Sequence, residues 1–229
     1  MTMDCRDVLK LRRAPFLAGL GAEELDAFAS SLEVATLSAG QTLFSQGDPA
    51  TAFYFVLDGW VALFRDGPEG ERTAIHLVGP GESFAEALLA HEARYPVTAE
   101  AAADLRVAVI SIARFRSLIT QSPELALSII SAVLVKLRAL VSRIEQDQEW
   151  PPQRRIAAFL YRTCMANGGA CQFELPVEQR YIAARLSMTP ATLSRALSDL
   201  AAIGVEARRR KVVITDVGRL ARFVNQDQP

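Results

Sequence analysis

Residues 177–205, VEQRYIAARLSMTPATLSRALSDLAAIGV, hold two short helical periods on either side of a break. From Glu178 to Leu186 the apolar side chains Ile182 and Leu186 share one face. Ser187-Met188 interrupts the period as a turn. The second period puts Leu193, Leu197 and Leu200 on an inward face. Thr189 is a preferred N-cap, and Pro190 takes the first helical position, where its missing N–H costs nothing. The outward face is left with Ala191, Thr192, Ser194, Arg195 and Ser198, small side chains around one long guanidinium. The form is a helix-turn-helix.

A helix that enters the DNA major groove needs small residues near its N-terminus and a side chain able to reach base edges. Arg195 supplies the reach. Its fork can donate two hydrogen bonds to guanine O6 and N7, a discrimination of about 1–3 kcal/mol. Thr189, Ala191, Thr192, Ser194, Arg195 and Ser198 are therefore the candidate DNA contacts of this helix. Downstream, VEARRRKVVITD (205–216) reads as a β-hairpin with Arg208, Arg209, Arg210 and Lys211 at its tip. A cationic tip there suits phosphates, which set affinity rather than sequence preference. The charge distribution agrees: residues 150–229 hold twelve Lys and Arg against six acids, net +6, whereas the remainder is net −7.

Upstream of the motif, QRRIAAFLYRTCMA (153–166) is amphipathic at helical spacing, followed by an Asn167-Gly168-Gly169 turn and a short strand, CQFELPV. Before these, Ser122-Pro123-Glu124 signals a helix start with a cap, a proline at the first turn and an acid on the dipole's positive end. Ile130, Leu134, Leu137, Val141 and Ile144 then follow the alternating four-three spacing of a two-stranded coiled coil. Trp150-Pro151-Pro152 ends the run, since residues before proline avoid the α region. A helix of about 27 residues is ~40 Å long. A helix packed only on its own domain has no need of such length with such a seam, so a homodimer is expected.

Between Val34 and Ile112 the pattern changes to short runs rich in Val, Ile, Phe, Leu and Thr, divided by Gly, Pro and Asp. Many short strands at close turn spacing read as a small antiparallel barrel or roll. Inside it SFAEALLAHEA (83–93) has helix-forming composition, and GAEELDAFASSL (21–32) precedes it as a further helix. The expected fold is α+β: a β-roll over 14–121, a dimerisation helix over 122–150 and a winged helix-turn-helix over 151–224.

Other classes fit poorly. No GxSxG, P-loop, HExxH or GxGxxG occurs, and two histidines give little general-base capacity, so an enzyme is not expected. The apolar stretches fall short of the ~18–20 residues that span a bilayer, and MTMDCRDVLKLRR has no signal core. A cytoplasmic protein with no membrane partner is the expectation. Cys5, Cys164 and Cys171 have neither CxxC nor zinc-ribbon spacing, so they read as free thiols and no metal site is expected.

The run GQTLFSQGDPATAFYFVLDGWVALF (40–64) resembles the cyclic-nucleotide-binding β-roll of the CRP/FNR superfamily. ESFAEALLA resembles that roll's cassette helix, and RRIAAFL with TPATLSRAL resembles the family's winged helix, in the same order over about residues 14–222. FAEA in the cassette with T-x-x-x-SR in the recognition helix is most similar to the DNR/NNR branch, whose members regulate denitrification in response to nitric oxide. The resemblance implies a dimeric regulator that binds a pseudo-palindromic double-stranded operator, meets RNA polymerase and is gated by an effector in the roll.

Departures from the family pattern narrow the effector. Cyclic-AMP-binding members clamp the phosphate with an Arg-Ser pair; the matching positions here are Tyr95-Pro96, so cyclic AMP is not expected. Glu86 stands where those members keep the ribose-binding Glu, and without the Arg a structural role is expected for it. Members with a [4Fe–4S] cluster use four cysteines, mostly N-terminal, where this chain has only Cys5, so no iron–sulfur cluster is expected. The DNR-like resemblance implies haem. His76 lies in a strand-like run, TAIHLV, which leaves His91, just beyond the cassette, as the candidate imidazole ligand. Glu86, His91 and Tyr95 are the candidate effector-contact residues. Recognition helices of the family usually present Glu where this chain has Ala191, so an altered half-site is implied. Two further readings remain open: a dimer that binds DNA constitutively over a vestigial roll, and a roll acting as a protein-interaction module.

Overall fold

The computed structural model describes residues 3–67, 71–89, 94–166, 169 and 171–225. The chain divides into two compact units, Met1–Ala139 and Leu140–Pro229.

The first unit opens with a helix the sequence did not announce, α1 (Cys5–Leu11). Its N-terminus is a capping box: the Asp7 N–H donates to the Asp4 carboxylate at 2.8 Å, and the Asp4 N–H to the Asp7 carboxylate at 3.2 Å. The Asp7 N–H also holds the Asp4 carboxyl below the usual carboxylate range. Helix α2 (Ala22–Ser30) follows. Then come β1 (Glu33–Leu37), β2 (Thr42–Phe44), β3 (Ala52–Asp58), β4 (Val61–Asp66), β5 (Arg72–Val78), β6 (Ser83–Phe84), β7 (Thr98–Ala101) and β8 (Leu105–Ser111). They form two four-stranded sheets, β1-β8-β3-β6 and β2-β7-β4-β5, with antiparallel pairing throughout.

Strand β3 explains how the roll holds together. Its side chains alternate between faces, and all but Asp58 are buried. Phe53 and Phe55 pack edge-on against Phe16, and Phe53 also meets Phe115. Tyr54 goes to the other face, where it stacks with Phe44 and Phe84. The β3–β4 turn passes through Gly59 at φ 80°, where an added Cβ would run into the Asp104 carbonyl; only glycine is at ease there.

In the cassette, the expected helix over SFAEALLAHEA is realised only as a 3₁₀ turn, Glu86–Leu89, with residues 90–93 outside the described ones. Ala85 lies at φ 63°, and that left-handed step separates the turn from β6 and stops a longer helix from starting there.

Helix α3 (Ile112–Gln121) leads to α4 (Pro123–Glu149), the 27-residue helix expected from its start and stop signals. The Leu125 N–H donates to the Ser122 hydroxyl at 3.2 Å, Leu125 is fully buried, and the Ser128 hydroxyl donates to the Phe16 carbonyl at 3.1 Å.

The second unit holds α5 (Pro152–Ala166), β9 (Gln172–Glu174), α6 (Gln179–Arg185), α7 (Pro190–Asp199), β10 (Val205–Arg208), β11 (Lys211–Ile214) and α8 (Val217–Asn225). Helix α8 was not anticipated; its Leu220 is fully buried. The strands pair in the order β10-β11-β9. Ile156, Leu160, Ile182, Leu193, Leu200, Val212 and Ile214 build the core beneath them. Asn167 and Gly168 of the expected turn lie outside the described residues, while Gly169 takes φ 77°. Cys164 is buried, Cys5 and Cys171 are exposed, and none of the three is in a disulfide. Among the described residues no single helix is long and apolar enough to cross a membrane.

Candidate nucleic-acid interface and effector site

The cap expected at Thr189 is present: its hydroxyl accepts from the Thr192 N–H at 3.1 Å. The turn before it needs Ser187 at φ 52° and closes through the Met188 N–H to the Ala183 carbonyl at 3.0 Å. Leu193, Leu197 and Leu200 are buried, Ala191, Ser194, Arg195 and Ser198 are exposed, and Thr192 is half-buried. Arg195 Nε donates back to the Ala191 carbonyl at 3.4 Å. That contact orients the side chain along the helix and leaves both terminal nitrogens of its fork for an outside acceptor.

Two contacts from α5 brace this helix pair, and the sequence carried no signal for either. Gln153 donates to the Asp199 carboxylate at 2.7 Å, tying the start of α5 to the end of α7. Arg155 donates to the Leu186 carbonyl at 3.0 Å, at the end of α6. A reading side chain held on braced helices keeps its aim.

The four cations of the hairpin tip do not share one fate. All four are exposed, but Arg210 alone is tied back to the fold, donating to the carbonyls of Leu175 and Pro176 at 2.9 and 3.1 Å, while Arg208, Arg209 and Lys211 form no ion pair among the described residues. Arg209 takes φ 53° at the tip, and its carbonyl accepts from Gln179 at 2.8 Å, which ties the wing to α6. Between α7 and the wing runs a groove lined by Gln179, Ser194, Ser198, Glu206 and Arg208.

In the roll, Tyr95 is buried and its ring stacks on Phe44 with centroids 3.7 Å apart. Its hydroxyl donates to the Ala52 carbonyl at 2.7 Å and lies 3.3 Å from the Tyr54 hydroxyl. Burial, and then the bond to Tyr95, push the Tyr54 phenol above its ordinary range. Glu86 forms an ion pair with Lys136 of α4. His76 lies on the edge strand β5, partly exposed, and His91 lies outside the described residues. Phe44, Tyr54, Phe84 and Tyr95 stack together inside the roll, and His76 pairs in register with Leu63, which packs against the same core. Among the described residues no cluster of His, Cys, Asp and Glu is arranged for a metal ion.

On α4, Ile130, Leu134, Leu137 and Val141 are 56, 50, 54 and 47 % exposed, with Leu127, Val133 and Leu140 exposed beside them. These large aliphatic side chains form one exposed apolar stripe along the helix. The side chain of Ile144 lies outside the described ones.

Residues 34–122 match the cyclic nucleotide-binding domain family, and residues 154–223 match the Crp-like helix-turn-helix domain family. A solved structure from Silicibacter pomeroyi DSS-3, assigned as a cAMP-binding regulatory protein, is 34% identical over 96% of this chain and 98% of its own, with a TM-score of 0.77. The chain belongs to the CRP/FNR family. It is a Crp-like transcription regulator with a DNA-binding helix-turn-helix. Among its CRP/FNR relatives, a CRP-like cAMP-activated global transcriptional regulator of Mycobacterium tuberculosis (strain ATCC 25618 / H37Rv) is 26% identical over 93% of this chain and 97% of its own. The structure of DNR from Pseudomonas aeruginosa is likewise 26% identical, over 97% of this chain and all of that one, at a TM-score of 0.58. The DNR branch is thus one of several that this CRP/FNR regulator resembles.

Proposed function

We propose that this regulator works as a homodimer joined along the α4 stripe and binds a pseudo-palindromic operator with α7 in the major groove. Arg195 reads a guanine in each half-site, and Arg208, Arg209 and Lys211 hold adjacent phosphates. The observation that carries this reading is the division of α7 into a buried leucine face and an exposed face that ends in Arg195. Function then follows three parts: the roll over 14–121 receives an effector, 122–150 dimerises, and 151–224 binds DNA. The protein acts in the cytoplasm with RNA polymerase as its further partner, and no catalytic step is assigned to it.

The effector in this reading is not cyclic AMP, because Tyr95 is buried with its hydroxyl committed to Ala52 and offers no charge to a phosphate. The test is selection of duplexes from a random library, followed by anisotropy with a salt titration and sedimentation of the same protein. A tight, palindromic, salt-dependent consensus bound by a dimer supports the proposal; binding without sequence preference, or a monomer at micromolar concentration, sinks it.

Nitric oxide sensed through haem on His91 is a second reading, favoured by the likeness to DNR from Pseudomonas aeruginosa. Absorption spectra of protein purified without oxygen, with and without haem and nitric oxide, decide it. A spectrum unchanged by either His91→Ala or His76→Ala removes histidine from that reading.

A further inference from the structure

Two cationic side chains hold the cassette turn Glu86–Leu89 from outside it. At its end, Arg116 of α3 donates to the Leu89 carbonyl at 2.8 Å and to the Leu88 carbonyl at 3.5 Å. Carbonyls at the end of a helical turn lack an intrahelical donor, and the guanidinium supplies one. At its start, Lys136 of α4 donates to the Ser83 carbonyl at 3.2 Å and the Ser83 hydroxyl at 3.3 Å, and closes an ion pair with Glu86. Between these grips sits Ala85 at φ 63°, a left-handed conformation that alanine adopts only when its surroundings impose it.

Lys136 sits on α4 at helical spacing from Leu125 and Ile129, both packed against the roll core. Ile130, Leu134 and Leu137 lie on a different side and stay exposed. The same helix therefore faces the roll with one side and presents the dimer stripe on another, and from Ile129 to Lys136 its contact with the roll turns from apolar to ionic. Both members of the pair are partly open to solvent, with side-chain exposures of 49 and 29 %. Such pairs are weak and exchange readily with water or another ion. A permanent strut would be buried and apolar; a releasable contact looks like this one.

We propose that Lys136, bridging Glu86 and Ser83, is a latch that transmits the position of the cassette turn to α4 and through it to DNA affinity. It rests on the reading of the chain as an effector-gated dimer. Lys136 is a positioning residue in this role: it works by setting where α4 lies against the turn, and an effector that draws Glu86 away releases the helix.

The test uses the full-length protein as wild type, Lys136→Gln, Glu86→Gln, the double variant and the charge exchange Lys136→Glu/Glu86→Lys. Three quantities are read: amide hydrogen exchange across 83–89, affinity for a duplex selected by the wild type, and Tm. Each single variant is expected to raise exchange across 83–89 and to change DNA affinity by about two- to five-fold in a common direction, the size a part-exposed pair allows. The double variant goes no further than either single, and the charge exchange returns both readouts toward wild type with Tm little moved. Additive single effects, or altered exchange with unaltered DNA affinity, overturn the latch. Failure of the regulatory reading itself is seen separately, in wild-type protein that is monomeric or selects no duplex.

Discussion

Arg210 and Leu175 are joined twice: the Leu175 N–H donates to the Arg210 carbonyl at 2.6 Å, and the Arg210 guanidinium donates to the Leu175 carbonyl at 2.9 Å. One arginine of the RRRK tip is thereby a fastening between the wing and the segment after β9. The neighbours Arg208 and Arg209 keep their charge outside.

That division predicts unlike variants from like residues. Arg209→Ala should lower the slope of log affinity against log salt by about one per monomer, because one phosphate contact and its counterion are lost. Its Tm should stay put. Arg210→Ala should instead lower Tm, with about 1–3 kcal/mol lost from charge-assisted bonds to backbone. A salt titration and a thermal melt on both proteins check this; identical behaviour of the two would refute it.

Base readout separates from affinity in the same way. Arg195→Ala should cost about 1–3 kcal/mol per half-site and relax preference at one base pair only. Ala191→Glu should add an acceptor for cytosine N4 and shift the preference at a neighbouring position. An operator library read by anisotropy distinguishes these results from a uniform loss, which would mean that Arg195 touches only phosphate.

The α4 stripe gives a prediction about assembly. Leu137 is 54 % exposed in the single chain, so Leu137→Glu should fold normally and yield monomers, since a dimer would bring two carboxylates into the seam. Sedimentation with a circular dichroism melt tests both halves. A dimer retained by the Glu variant places the interface elsewhere.

The thiols should react in two classes. Burial, then the nearby Cys171, push the Cys164 thiol above its ordinary value, so at any given pH less of it is thiolate and its alkylation is slower. Cys5 and Cys171 are exposed. Iodoacetamide should label those two in the native protein and Cys164 only on unfolding. Because the folded state keeps the Cys164 proton longer than the unfolded chain, this group contributes no penalty below the unfolded pKa and favours unfolding as pH rises through it. Rapid native labelling of Cys164 would contradict the buried placement.

What the sequence made legible was whatever local periodicity encodes. The cap at Thr189, the start at Ser122-Pro123 and the leucine face of α7 are each decided within one or two turns of chain, and each is found in place. The cassette helix starts at Glu86 rather than Ser83 for a local reason that composition hides, the left-handed Ala85. Helix α8 carries its period plainly, in Val217, Leu220, Ala221 and Val224, whereas α1 is short and what fixes it is distant: Asp7 is buried against Arg106 of β8, 99 residues along the chain, at 2.7 Å. The Arg210–Leu175 bond and the Lys136–Glu86 pair are likewise partnerships across 35 and 50 residues, with no trace in spacing.

The phenol pair in the roll yields the last prediction. Tyr95 bonds Ala52 through both its donor and acceptor sides, at 2.7 and 3.4 Å, and meets the Tyr54 hydroxyl at 3.3 Å. Tyr95→Phe keeps the stack on Phe44 but leaves the Ala52 carbonyl and the Tyr54 hydroxyl short of a buried partner, at a cost of about 1–3 kcal/mol. Adding Tyr54→Phe removes one of those orphaned groups, so the double variant should be less destabilised than the sum of the singles. Tyr95→Arg restores the residue type of cyclic-AMP-binding relatives, yet it should bind no cyclic AMP. The guanidinium would sit among Phe44, Tyr54 and Phe84, where its charge is desolvated, and the fold should lose stability instead. Urea unfolding of the four variants and calorimetry with cyclic AMP are the measurements. Tight nucleotide binding by the Arg variant, with stability intact, would mean that the ring stack opens to admit a ligand.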